Sequence, residues 1–318
     1  MTSIRRVALA AAVLTYALIV LGALVRSTNS GLSCPDWPTC YGYWLLTPQQ
    51  FAALPATGYT YGQVMLEWVH RLVAGVFLGP LVLVLVGLIL WRRGERPGLL
   101  AAAGALVGLL LVQKLLGGVT VLDRNSPWSV ALHLGNAMLV LATILWIAVR
   151  AGEIPRGAAP PALASLAAGC WILVMGTIVS AAIVAKSGAA LACSTWPLCD
   201  GALIPDLADP LVRANFTHRL LAGLAALALV LLALRVRRPD VPAAEGRLAT
   251  LAAGLVLLEV LLGAVTVWGE IATSLAVLHQ ALGVLVFAKL TLLWWRLRGI
   301  AGPAVTGEAG DGLALRGA

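Results

Sequence analysis

Four histidines, His70, His133, His218 and His279, are the only ones in 318 residues. Each stands in a long apolar run, where an ionisable side chain is costly and marks function by default. The pattern places each in the first two turns of a helix entering from the outer face, at similar shallow depth. Neutral imidazole is a ready metal ligand. Two histidines in each of two places do not complete a tetrahedral zinc site. Two histidines at equal depth on facing helices do grip a flat macrocycle between them, the bis-histidine ligation of haem iron.

Matched positions run along the whole chain. Cys34-Pro-Asp-Trp-Pro-Thr-Cys40 pairs with Cys193-Ser-Thr-Trp-Pro-Leu-Cys199, and His70-Arg-Leu-Val-Ala-Gly75 with His218-Arg-Leu-Leu-Ala-Gly223. Leu115-Leu-Gly-Gly-Val-Thr-Val121 pairs with Leu261-Leu-Gly-Ala-Val-Thr-Val267, and His133 with His279. Four interfacial histidines packed against neighbouring helices are the bland alternative, and recurrence at matched positions argues against it. The cysteine pairs Cys34/Cys40 and Cys193/Cys199, in outer loops, read as two disulfides. A single zinc site from all four is the alternative, although the spacing exceeds the usual zinc knuckle. Cys170, inside a span, reads as a small buried apolar residue.

Differences between matched positions carry the asymmetry. Glu67, three residues before His70 and on the same helical face, corresponds to Asn215. A reacting site uses a carboxylate for proton transfer or charge stabilisation, whereas an electron-transfer site does not need one. An exposed glutamate favoured by a helix N-terminus is the competing reading. Arg71 and Arg219 follow two of the histidines and are candidates for pairing with haem propionates, against plain interfacial snorkelling. Gln113 aligns with Glu259 and Lys114 with Val260 in the repeat, with no role assigned. Gly75 and Gly223 allow close approach of a ring or of a neighbouring helix.

The elements that position these residues are membrane helices. Hydrophobic residues make up 60% of the chain and charged ones 11%, with a mean hydropathy of +0.94. That balance excludes a soluble domain. Eight runs, roughly 7–25, 68–91, 99–121, 130–149, 163–185, 217–235, 248–268 and 274–296, are long enough to span a bilayer. The fold class is therefore all-α and polytopic, with eight transmembrane helices as two four-helix bundles in parallel repeat. The first run follows Arg5 and Arg6 but has no small-residue cleavage site and reads as a retained helix. The net charge of +8 gathers at the termini and in even-numbered connections, as in Arg92, Arg93, Arg96, Arg150, Arg156, Arg235, Arg237, Arg238, Arg247, Arg296 and Arg298. Odd-numbered connections, with the first residues of the helices that follow, hold only Arg26, Arg71, Arg124, Lys186, Arg213 and Arg219. This positive-inside pattern puts both termini in the cytoplasm and makes the basic excess a record of topology, not of nucleic-acid binding.

Glu67-x-x-His70-Arg71, the Cys34/Cys40 loop, Leu116-Gly-Gly-Val-Thr120, His133, Cys193/Cys199, His218-Arg219 and His279 together resemble the heme A synthase family, in its bacterial form with outer cysteine pairs. The resemblance covers Gly22 to about Trp295. It implies oxidation of the C8 methyl group of haem O to a formyl group, giving haem A for terminal oxidases. It implies a haem b (iron) on His218 and His279, substrate haem O between His70 and His133, and a catalytic role for Glu67. The domains expected are 1–150, an N-terminal four-helix half with the haem O site; 151–162, a cytoplasmic linker; 163–298, a C-terminal four-helix half with the haem b site; and 299–318, a flexible cytoplasmic tail. The partners expected are haem O, the lipid bilayer, a haem O synthase and an electron acceptor, with a homo-oligomer left open. The location is the plasma membrane, with the haem sites toward the outer face. The alternative is a di-haem b-type membrane cytochrome for electron transfer, which the Glu67/Asn215 difference disfavours.

Overall fold

Leucine, alanine and valine fill the apolar runs, and a chain in hydrocarbon must satisfy every backbone group internally, which helices do. In the computed structural model, which describes residues 3–94, 97–152 and 159–300, eight helices are long and apolar enough to cross a membrane. They are spans one to eight: Ser3–Ser27, Tyr61–Trp91, Pro97–Leu122, Pro127–Arg150, Pro161–Ser187, Pro210–Val236, Ala243–Trp268 and Thr273–Gly299. No β-strand forms among the described residues; only isolated bridges, Cys40 to Tyr43 and Cys199 to Ala202, occur. The all-α expectation stands.

The helices outrun the apolar stretches because polar residues start them. Thr60 and Gln63 form a reciprocal capping box that begins span two at Tyr61, several residues before the apolar run. Asp209 caps span six, with Pro210 in its first turn, where a missing N–H costs nothing. As a result His70 is the tenth residue of its helix and His218 the ninth, deeper than the two turns expected, while His133 and His279 are each the seventh.

Span one packs against spans two and four, and span four against span three. Spans five to eight pack in order, with eight closing on five. Spans one, four, five and eight carry the contacts between the two sets. Span one is also tied to span eight by Arg26 Nη2 to Gln280 Oε1 at 3.0 Å and Tyr16 Oη to Ala281 O at 3.1 Å. The fully buried residues Leu85, Ile89, Leu106, Leu141, Ile144, Leu232 and Leu290 belong to one apolar cluster. They lie toward the helix ends remote from the cysteine loops, so close packing at that end holds the frame and leaves the histidine end to build sites.

Span two differs from span six in one respect. Residues Val73–Leu78 form a π-helical segment just after His70, whereas span six is continuous α-helix. The buried Val82, Leu85 and Ile89 stand twelve, fifteen and nineteen residues after His70; the buried Leu229, Leu232 and Val236 stand eleven, fourteen and eighteen after His218. One extra residue is thus accommodated in the wider turn, and both the histidine and the buried face keep their direction.

Arg96, residues 153–158 of the expected linker (Arg156 among them) and the tail beyond residue 300 lie outside the described residues.

Candidate functional site

The histidines come together in two pairs. His70 and His133 are close enough to interact electrostatically, as are His218 and His279. Three of the rings lie against glycines of neighbouring helices. A Cβ at Gly22 would stand 3.2 Å from His70 Cε1, one at Gly117 3.4 Å from His133 Cε1, and one at Gly263 3.2 Å from His279 Cε1. Gly117 and Gly263 belong to the matched Leu-Gly motifs, so their role as ring seats had a signal in the sequence; Gly22 had none.

The pairs are supported differently. His218 Nδ1 lies 3.0 Å from Ser180 Oγ and 3.2 Å from Thr177 O. His279 Nδ1 lies 3.0 Å from Glu259 Oε1, a close approach whose alignment falls short of a hydrogen bond. Both C-terminal imidazoles thus have an oxygen at Nδ1 and Nε2 left over, the usual arrangement of a metal-ligating histidine. In the N-terminal pair, His70 Nδ1 is buried without a partner. The Gln113 amide nitrogen is 3.3 Å from Nδ1 and 3.2 Å from Nε2 of His133, committing neither. Asn136 fixes that amide by donating to Gln113 Oε1 at 2.7 Å. No group of three or more histidine, cysteine or acidic residues converges among the described residues, so the pairs suit a macrocycle that brings its own equatorial ligands.

Above each first histidine sits a cysteine loop. The sulfurs of Cys34 and Cys40, and of Cys193 and Cys199, are at disulfide distance, which removes the single zinc site. Glu67 is buried, not an exposed helix-start residue. Its carboxylate accepts from Cys34 N at 2.9 Å and Ser33 Oγ at 3.0 Å and pairs with Arg71 at 2.5 Å. Asn215 does the converse, donating to Ala189 O and Ala190 O. Within the first loop Asp36 accepts from the Thr39 hydroxyl, Tyr41 N and Gly42 N. Burial works to raise that carboxyl, and these hydrogen bonds outweigh it, leaving Asp36 below the usual carboxylate range.

The propionate role expected of Arg71 and Arg219 meets another use of their donors. Arg71 gives hydrogen bonds to Asp36 O, Thr39 O and Cys34 O, and Arg219 to Thr195 O, Leu198 O and Cys193 O. A planar fork with five donors suits a loop that turns its carbonyls inward, so each arginine pins its loop to its helix. The first loop also lays Trp37 on span three, 3.7 Å from where a Cβ of Gly118 would be, with Lys114 Nζ 5.6 Å from the ring centroid. In the second loop Trp196 meets Trp268 edge-on.

Residues 5–291 match the COX15-CtaA family, described as cytochrome oxidase assembly protein. The chain is similar to the heme A synthase of Caulobacter vibrioides, with 29% identity over 90% of this chain and 94% of that one. It is similar to the heme A synthase of Methylobacterium radiotolerans, at 32% identity over 88% and 86%. A third relative, the heme A synthase of Rhodospirillum centenum, is 31% identical over 88% and 84%.

Proposed function

The chain belongs to the COX15-CtaA family of cytochrome oxidase assembly proteins and acts in heme A synthesis, and from that premise we propose that it oxidises the C8 methyl group of haem O to a formyl group in its N-terminal half while a resident haem b stands in its C-terminal half. The observation that carries the division is the contrast at Nδ1. His218 Nδ1 has Ser180 Oγ and Thr177 O beside it, and a Glu259 oxygen stands 3.0 Å from His279 Nδ1, the kind of neighbour that orients a permanent ligand. His70 and His133 have no such commitment, as suits a substrate that must come and go. The relatives' name favours this reading over an electron-transfer cytochrome.

Haem b, when bound, supplies one-electron chemistry. The rest falls to the chain's own residues. His70 and His133 orient the substrate macrocycle. Glu67, one turn from His70 toward the outer surface, handles protons released as the methyl group loses hydrogen. Its oxygens accept from Ser33, Cys34 N–H and Arg71, which ties the carboxylate to the loop above the site. The disulfide loops close that end. The two halves are read as a parallel repeat in the plasma membrane, both ends cytoplasmic and the histidines toward the outer face. The arginine distribution and the disulfide loops beside the histidines support this orientation.

The test is haem content of purified protein made with and without a haem O source. His218→Ala and His279→Ala should each lose haem b and its bis-histidine optical and EPR signature. His70→Ala and His133→Ala should keep haem b and lose haem A. Retention of haem b in both C-terminal variants would reject the assignment.

A further inference from the structure

The outer half of span two and the outer half of span three stand apart. Span two packs along span one through all its segments, but meets span three only through its inner part, Gly79–Trp91, beyond at most an isolated contact. Spans six and seven, their counterparts, pack extensively. The parting lies beside the π-helical segment that follows His70, where Val76 and Phe77 are exposed. π-bulges of this kind are frequent at functional sites.

One cation stands in the wall of this seam. Lys114 and Gly118 share a face of span three at i, i+4 spacing, and Trp37 roofs that face from a loop pinned to span two by Arg71. Lys114 has no hydrogen bond or ion pair among the described residues; its contact is the Trp37 ring. It is eight residues from the end of span three, about 12 Å along the axis. An exposed lysine at that depth reaches outward along its stem. Val260 holds the matched position in the closed half.

We propose that the seam between spans two and three admits the substrate macrocycle sideways from the bilayer, and that the Lys114 ammonium takes one of its carboxylates. This rests on the N-terminal half being the substrate half. Haem O is amphiphilic, with a long isoprenoid chain at one side and two propionates at another. A molecule of that kind partitions into lipid, and a lateral opening with an apolar wall and one cation near its outer rim matches both ends. A resident cofactor needs no such way out, and the corresponding wall between spans six and seven is closed.

The test uses the full chain carrying its haem b, in lipid nanodiscs, titrated with haem O and with haem O whose propionates are methyl esters. Lys114→Met should weaken haem O binding about tenfold, as loss of one charge-assisted contact does, leave haem b content unchanged, and leave ester binding unaffected. Lys114→Arg should restore most of the affinity. Unchanged haem O binding in Lys114→Met, or an equal loss with the ester, overturns the anchor. A photoreactive residue at Leu111, one turn inward on the same face, should form adducts with haem O, and one at the matched Leu257 should not. Adducts at both, or at neither, overturn the portal. His70→Ala separates the premises: if it binds haem O as wild type does, the assignment of the halves has failed; if it loses haem O while Lys114→Met does not, only the anchor has.

Discussion

Glu259 Oε1 stands 3.0 Å from Nδ1 of His279, and Gly283 makes the room for it, since a Cβ there would come within 2.9 Å of the same oxygen. A carboxylate at Nδ1 pushes electron density onto the imidazole and favours the oxidised iron it ligates. Glu259→Gln should therefore raise the midpoint potential of the C-terminal haem without removing it. Potentiometric titration of the purified protein reads this directly. An unchanged midpoint would mean that the carboxylate acts only in packing.

Glu67→Gln keeps the shape and one acceptor oxygen but removes the charge that faces Arg71. Haem b should stay, while haem A formation falls at least tenfold and haem O or a hydroxylated intermediate accumulates in the extracted pigment. Wild-type haem A yield in this variant would take the proton role away from Glu67.

Asn215→Asp is a sharper change than the bare pairing with Glu67 implies. The Asn215 amide donates to Ala189 O and Ala190 O; a carboxylate there would face two carbonyls with no donor. A buried acceptor left so costs about 1–3 kcal/mol. The variant should lower the thermal midpoint and speed amide exchange in residues 187–193, with the N-terminal haem O site unaffected. An unaltered midpoint would count against the two hydrogen bonds.

The first cysteine loop should loosen in acid. Its Asp36 lies below the usual carboxylate range because three donors hold it, against the opposing effect of burial. A lowered folded-state value contributes stability that is present above the ordinary carboxylate range and is lost as pH falls through the depressed value. Protection of Tyr41 and Gly42 against amide exchange, taken relative to the intrinsic rate at each pH, should fall only at low pH, and Asp36→Asn should remove most of that dependence. An identical pH profile in Asp36→Asn would exclude the carboxylate as its source.

The four histidines, the two disulfide pairs and the eight spans were legible because hydropathy and recurrence are properties of the chain order itself. The helix starts were not, since capping by Thr60 and Asp209 extends spans two and six beyond their apolar runs. Gln113 and Glu259 stood out only as polar residues in apolar runs; their approach to His133 and His279 depends on how spans three and seven turn toward spans four and eight. Arg71 and Arg219 read as candidates for propionates; that they also hold loop carbonyls was not legible, since a sequence shows a cation but not the carbonyls that a folded loop will present. The extra residue of span two is invisible without knowing which residues beyond it are buried.

The grip of span one on Gln280 has a consequence for how the two histidine sites sense each other. Ile19 O and Arg26 hold the side chain of the residue next to His279, and between them on the same helix lies Gly22, the seat of the His70 ring. A single helix, about 10 Å across, is thus a shared wall, with the ring of His70 on one side and the residue beside His279 on the other. For an electron or a small displacement passing between the two sites, this wall is one route, and the contact of Gly135 on span four with Val179 on span five is another.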